Sequence, residues 1–397
     1  MKKFFLLTLC VGLLSGMMGC HTGYQPREDA LKWVKLEADA YMQQCDSSLT
    51  HYNDNWSYST AFLARNYEDL YQQTHEQKYR DMFVDYMDFF VSDSAIWGYK
   101  IEEYNLERIQ PARNLFAMYE ITKEARYERA IAKFVEQLST QPRNSEGGFW
   151  YRKTCPNQMW IETAYMACPF MAMYAAKYDA PQWFDEAASQ ILLMYAKAKD
   201  PKTGLLFHGW DSTKSEAWSN PETGCSATVW GRAVGWFMAG IVDVLDYLPA
   251  DHPSRAKLIE VLQEVSAAVL AQQSPEYRLW YQVTDQADRE GNYLEMSSSQ
   301  LFIYSLAKGA RMGYLPASYR DIAHEAYDCA VRLLTKWYYP DGSGILNVYY
   351  ISGTCGLGKN GDEYRDGSYA YYTGVPIVSN DPKGTAPFMA AGLELLK

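Results

Sequence analysis

Along most of the chain, apolar residues recur at intervals of three and four, the spacing that gathers them on one face of a helix. The segments carrying this pattern are 28–46, 57–74, 76–92, 107–121, 124–139, 159–178, 182–199, 230–247, 254–273, 297–313, 318–336 and 383–396, and they predict twelve helices. A crude local pattern pairs them: an aromatic near the end of one helix, a short turn, then an aromatic opening the next. Tyr71 is followed by Tyr79, Tyr119 by Tyr127, and Tyr174 by Trp183 and Phe184. Between the pairs lie long segments rich in Gly, Trp, Tyr and polar residues, at 92–106, 140–158, 200–229, 274–296 and 337–382. Unequal insertions in a helical-hairpin repeat map to loops on one face. Six hairpins closed into a ring make a double toroid, an all-α (α/α)6 barrel, as one domain over 28–397. The competing arrangement is an open helical solenoid, which has shorter and more equal connections.

Composition narrows the function classes. With 37 Lys+Arg against 48 Asp+Glu, the net charge of −11 argues against nucleic acid, whose capture needs a basic face. The 33 Tyr and 12 Trp offer stacking surfaces for sugar rings or, more simply, packing for helices. Phosphate-binding glycine loops, a Gly-x-Ser-x-Gly elbow, HExxH and CxxC spacings are all missing from the sequence, so neither a metal centre nor another cofactor is expected. Cys45, Cys155, Cys168, Cys225, Cys329 and Cys355 are widely scattered and read mainly as small core residues.

At the N-terminus, Lys2 and Lys3 precede an apolar run from Phe4 to Met18 that ends on Gly19 and Cys20. A basic start and a short apolar stretch describe a secretory signal. The closing Gly-Cys is that of a bacterial lipoprotein, with residues 1–19 removed, Cys20 lipidated and 20–27 a short linker. The expected location is the cell envelope, exported to the periplasm and held at the outer membrane through the lipid alone.

If the even-numbered helices form the inner ring, the long loops converge on their N-terminal ends, where unpaired N–H groups favour anions. The residues there are Trp56 and Tyr58, Glu107 and Arg108, Trp160 and Glu162, Trp230, Arg232 and Trp236, and Glu295 and Ser297, with His208 to Asp211 in the loop before helix eight. Two carboxylates, a His, an Arg and several Trp on one rim suit a sugar acid. Each also has a plainer account. Glu107 could simply complement a helix dipole, His208 could staple its loop, and Trp210, Trp230 and Trp236 could be core. Glu162, flanked by Met159, Trp160, Tyr165 and Met166, has the partly apolar setting that suits a general acid.

These residues fall into ordered motifs: Asn157-Gln-Met-Trp160, His208-Gly-Trp-Asp211, Trp230-Gly-Arg-Ala-Val-Gly-Trp236, Tyr281-Gln-Val, Glu290-Gly-Asn-Tyr-Leu-Glu295 and Tyr364-Arg-Asp-Gly-Ser-Tyr369. With them, the chain resembles the unsaturated glucuronyl and rhamnogalacturonyl hydrolases of bacterial polysaccharide degradation, over nearly its whole length after the signal. The resemblance implies an (α/α)6 barrel. It also implies a reaction that hydrates the 4,5 double bond of an unsaturated uronic acid at the non-reducing end of lyase-generated oligosaccharides, without metal or organic cofactor. The family's acid/base position falls on Glu162 and its second carboxylate on Glu107. Substrate contacts fall on His208, Trp230, Arg232 and Trp236, with Arg232 the expected partner of the uronate carboxylate. Trp56, Tyr58, Arg152, Trp160 and Trp210 complete the candidate sugar contacts.

The sequence departs from the family at informative places. Both acids are Glu where the resemblance leads one to expect Asp, and the usual His-Lys reads Tyr151-Arg152. One methylene moves a carboxyl by ~1.5 Å, and ~1 Å of misplacement can cost ~10²-fold in rate. Two alternatives therefore stand beside the first reading: an exo-glycosidase using Glu162 and Glu107 on a saturated sugar, and a non-catalytic glycan-binding lipoprotein.

The targeting segment makes the first prediction. Cells fed a labelled fatty acid should incorporate it into this chain. Cys20→Ala should abolish the label and release the protein from the membrane fraction; a labelled Cys20→Ala chain would overturn the assignment.

Overall fold

A computed structural model describes residues 26–338 and 345–397. The expected signal peptide, Cys20 and most of the linker lie outside the described residues. Among those described, twelve helices have ten or more residues: α1 (Pro26–Gln44), α2 (Tyr58–Thr74), α3 (Gln77–Phe90), α4 (Arg113–Thr122), α5 (Ala125–Thr140), α6 (Cys168–Tyr178), α7 (Gln182–Ala198), α8 (Gly231–Val244), α9 (Arg255–Ala271), α10 (Met296–Arg311), α11 (Ser318–Leu334) and α12 (Pro382–Leu395). Even-numbered helices form an inner ring. The turn before α4 packs on α2, α2 on α12, α12 on α10, and α10 on α8. From α8 the ring passes to the short helix Thr163–Met166 that leads into α6, and on to the turn Leu106–Arg108 before α4. Outside it, α3, α5, α7, α9 and α11 each lie against the inner helix that precedes them, and α1 lies against α12. The ring closes, as an (α/α)6 barrel and not as an open solenoid.

Sequence dictates which helix goes where. Every residue of α8, Gly-Arg-Ala-Val-Gly-Trp-Phe-Met-Ala-Gly-Ile-Val-Asp-Val, is buried, as an apolar surface on all sides requires. By contrast, α5 buries only a stripe of Tyr127, Ala130, Ile131, Phe134, Gln137 and Leu138 and turns its charges outward. Close packing of α8 depends on Gly240: a Cβ there would stand 2.1 Å from the Ala164 carbonyl oxygen. No described helix is long and apolar enough to cross a membrane.

Two predicted helices begin differently. The segment 107–121 opens as the 3-10 turns Leu106–Arg108 and Gln110–Ala112, and the α-helix starts only at Arg113. Pro111 disfavours helical backbone at the residue before it and supplies no donor. The segment 159–178 opens as a strand, turns through Thr163–Met166, and resumes as α6, which has Pro169 in its first turn. The long 337–382 segment also contains ordered structure. Ile351–Ser352 pairs with Ile377–Val378, Gly358–Asn360 pairs with Glu363–Arg365, and Tyr369–Gly374 is a short helix.

Toward the C-terminal ends of the inner helices, an ion network is buried around a cavity of about 150 Å³. Asp243 accepts from Lys308 Nζ at 2.7 Å, Arg113 Nη2 at 2.6 Å and the Tyr304 hydroxyl at 2.6 Å. Lys308 also reaches Asp246, at 2.5 Å. Burial alone would push the Asp243 carboxyl up, but Lys308 and Arg113 overcome it and hold the group well below the ordinary carboxylate range. A depressed native value means that Asp243 adds stability at neutral pH, and that this is lost as pH falls below about 4. Asp243→Asn takes the only carboxylate from Arg113 and leaves Lys308 with Asp246 alone, and should cost ~3–5 kcal/mol. Urea unfolding at pH 7 would check this; a loss under about 1 kcal/mol would contradict it.

Candidate active site

At the other end of the inner helices, a two-stranded antiparallel ladder organises the mouth. It pairs β1 (Gln158–Trp160) with β2 (Gly209–Asp211), with Gln158 opposite Asp211, Met159 opposite Trp210 and Trp160 opposite Gly209. One residue further, Ile161 N–H donates to the His208 carbonyl at 3.0 Å. The ladder thereby brings Glu162 and His208 side by side. His208 Nε2 lies 2.8 Å from Glu162 Oε1, and Nδ1 lies 2.6 Å from the Tyr372 hydroxyl. Burial, reinforced by neighbouring Cys355, Tyr371 and Glu162, raises the Tyr372 phenol well above its ordinary value, so it keeps its proton. When that phenol donates to Nδ1, Nε2 carries the imidazole proton and gives it to Glu162 Oε1. Glu162 is 5% exposed, and its other oxygen, Oε2, is buried with no hydrogen-bond partner among the described residues. Such an atom carries a desolvation penalty that a bound ligand can relieve.

Glu107 reaches the same mouth from the turn Leu106–Arg108. Asn105 Oδ1 caps this turn by accepting from Glu107 N–H at 3.0 Å, and Leu106 N–H donates to the Tyr151 carbonyl at 3.1 Å. The Tyr151 hydroxyl donates to Glu107 Oε1 at 2.9 Å, while its ring lies nearly flat on Trp160, centroids 4.3 Å apart. Burial pushes the Tyr151 phenol well up, and the carboxylates of Glu107 and Glu162 push it further, so the hydroxyl stands in the field of both acids. Burial likewise raises half-buried Tyr58, which feels Arg232, Glu107, Asp381 and Glu162. The Arg152 guanidinium sits 4.9 Å over the Trp160 ring, and its Nε has no hydrogen-bond partner among the described residues. Trp230 supplies another wall, 4.8 Å from the His208 ring and stacked on Tyr372 at 5.8 Å. These residues form an acid with one free oxygen, a second acid held by a phenol, a guanidinium and flat aromatic surfaces.

Four candidate contacts are placed elsewhere. Trp56 is fully buried between Phe90 and Phe134, and its indole donates to the Arg108 carbonyl. Trp236 lies beneath Tyr58, packed on Phe62 and Tyr165. Trp210 is buried against the Gly224 turn, with Lys197 over its ring. Arg232 is not free to grip a uronate in the bidentate way expected. It donates through Nη1 to the Ser352 carbonyl at 2.7 Å and through Nη2 to the Gly353 carbonyl at 2.5 Å. A buried guanidinium needs acceptors, and this loop provides them. Glu295, which caps α10, accepts from Ser352 N–H at 3.0 Å, and Gln282 Nε2 donates to Ser352 Oγ at 2.7 Å. Three buried side chains thus hold the 352–353 segment beside the catalytic mouth. Tyr372 and Gln282 were not among the candidates; Tyr151 was visible only as a departure from the family's usual residue. Among the described residues, no group of three or more His, Cys, Asp or Glu is arranged to hold a metal ion.

Comparison with known proteins agrees with this architecture. Residues 33–397 match Glycosyl Hydrolase Family 88. The solved structure of a family 105 glycoside hydrolase from C. acetobutylicum superposes with a TM-score of 0.87 at 37% identity, covering 92% of this chain and 99% of that one. The Bacillus subtilis unsaturated rhamnogalacturonyl hydrolase YesR is 24% identical over 251 residues, 62% of this chain and 67% of its own. The unsaturated glucuronyl hydrolase of Bacillus sp. GL1 shares the fold, with a TM-score of 0.67 at 14% identity, over 94% of this chain and 96% of that one.

The Arg232 clamp makes a structural prediction. Arg232→Lys keeps the charge but cannot fork across two carbonyls. It should cost ~1–3 kcal/mol and speed hydrogen exchange of the 352–356 amides. Unchanged exchange in that segment would show that the clamp does not hold it.

Proposed function

The chain belongs to glycosyl hydrolase family 88, and from that membership we propose that this glycoside hydrolase releases an unsaturated uronic acid from the non-reducing end of lyase-generated oligosaccharides. The observation that carries the reading is Glu162, a buried acid with Oε1 fixed by His208 and Oε2 unpartnered beside a second acid. Relatives named as unsaturated rhamnogalacturonyl and 3S-rhamnoglycuronyl hydrolases support it.

In this scheme, Glu162 Oε2 delivers a proton to C4 of the enol ether, leaving positive charge shared between C5 and the ring oxygen. Water adds at C5 and returns a proton to the Glu162 carboxylate, which completes the cycle. The resulting hemiketal opens by breaking the bond between C5 and the ring oxygen, giving a ketone at C5. The hemiacetal left at C1 then collapses and expels the rest of the oligosaccharide. His208 holds the acid in one orientation through all of these steps, and Glu107, fixed by Tyr151, steadies the positive charge. Trp160 and Trp230 wall the sugar ring, and Arg152 is the guanidinium available to the uronate carboxylate.

The two glutamates fit this role for a physical reason. A longer acid is a poorer catalyst when its extra methylene lets the carboxyl wander. Here each carboxyl has one oxygen fixed, Glu162 by His208 and Glu107 by Tyr151.

Ultraviolet absorbance of the conjugated enol, followed with lyase digests of pectins and glycosaminoglycans, tests the reading. Glu162→Gln should lower kcat by ~10²–10⁴-fold, the usual worth of a general acid. Tyr151→Phe removes a hydrogen bond to a carboxylate and should lower kcat about tenfold, with KM little changed. A digest that loses no absorbance with the wild-type chain, across the whole panel, would overturn the assignment in favour of a saturated sugar.

A further inference from the structure

The course of α1 fixes where the chain enters the barrel. Inner helix α2 starts at the mouth with Tyr58 and ends at the far end with Thr74. Beside it, α1 runs the other way. The Tyr67 hydroxyl donates to the Ala38 carbonyl at 2.8 Å, and Lys35 Nζ donates to Glu76, just past the end of α2, at 2.6 Å. Against α12, Val34 packs on Gly392 in the last turn, where a Cβ would stand 2.4 Å from Val34 Cγ2. Eight more residues of α1 precede Val34, about 12 Å of helix, whereas α12 ends three residues after Gly392. Pro26 therefore lies at the far end, opposite the mouth. That end is closed mainly by short turns, at 75–76, 123–124 and 179–181, while the long loops stand around the mouth.

Cys20, outside the described residues, is six positions before Pro26, and six residues of fully extended chain span roughly 20 Å. To lay the mouth on a membrane, this tether would have to run back along the barrel, where the 19 residues of α1 alone cover roughly 28 Å. It is too short to do so.

We propose that the lipid on Cys20 stands the protein on the bilayer by its far end, because the tether is too short to turn it over, and that the catalytic mouth faces away from the membrane. The surface next to the lipid is the ring of turns at 75–76, 123–124, 179–181 and 245–254. The proposal rests on lipidation at Cys20 and is independent of which sugar is hydrolysed.

The full lipidated chain tests it, in vesicles of phosphatidylcholine and phosphatidylglycerol that carry an acceptor dye on some headgroups. Asp179 and Asp251 are exposed in far-end turns, and Asp54 and Asp362 are exposed at the mouth. Each is replaced singly by p-azidophenylalanine and coupled to a donor dye. The 17 residues of α2 separate the two ends by roughly 25 Å, so energy transfer from 179 and 251 should exceed that from 54 and 362 by at least about twofold. A Gly-Ser insert of about thirty residues after Thr22, with a mean reach of roughly 30 Å, should shrink the difference. Equal transfer from both ends, or more from the mouth, would overturn the proposal. A difference unmoved by the insert would also overturn it, by placing the cause in the far-end surface and not in the tether. No transfer from any position would overturn lipidation itself, and the proposal with it, while leaving the proposed function intact.

Discussion

The pairing of β1 with β2 is the constraint on which the mouth of this barrel depends. Closing six hairpins into a ring brings the starts of the inner helices together, but convergence alone does not align side chains. The ladder from Gln158 to Trp160 against Gly209 to Asp211, extended by the bond from Ile161 to His208, fixes two loops in register. A slip of one residue would turn Trp160 and Glu162 to the opposite face. With the register set, His208 meets Glu162, and Trp160 is presented flat to Tyr151, which in turn holds Glu107.

Around this ladder, the polar groups divide by depth. At the far end, Asp243, Lys308 and Arg113 satisfy one another and support the ring. At the mouth, Arg232, Glu295 and Gln282 are spent on Ser352 and Gly353, so these buried groups build the wall and do not meet the ligand. Among the buried side-chain atoms left without a protein partner, Glu162 Oε2, Arg152 Nε and Arg232 Nε lie at this mouth. In an interior where buried polar atoms are nearly always paired, such leftovers point to where a substrate belongs.

Much of the fold was legible from periodicity. The boundaries of α2, α3, α7, α9 and α11 lie within a few residues of their predicted segments, since each carries an uninterrupted apolar stripe. Legibility failed where the stripe continued through a different backbone. Gln158 to Trp160 is apolar enough to extend the helix that follows, and only its pairing with residues some fifty positions away makes it a strand. Trp56 and Trp236 failed for a related reason. An aromatic at the start of an inner helix looks the same whether it faces the mouth or the core, and the rotation of the helix decides which.

By itself, then, the sequence determined the class of fold, the inner and outer helices, and the gathering of two carboxylates and a histidine at the loop-rich end. These follow from the spacing of apolar residues and from motifs whose members are close in the chain. Only the tertiary structure decided which groups are free. Arg232 carries the same guanidinium as Arg152, yet its two Nη atoms are bound by a loop more than a hundred residues away, while Arg152 lies over the Trp160 ring. Tyr372, 164 residues from His208, bonds the second nitrogen of that ring with no local signal to announce it. Whether a polar side chain supports the protein or serves the ligand depends on what lies within hydrogen-bonding distance, and the closing of the ring fixes that.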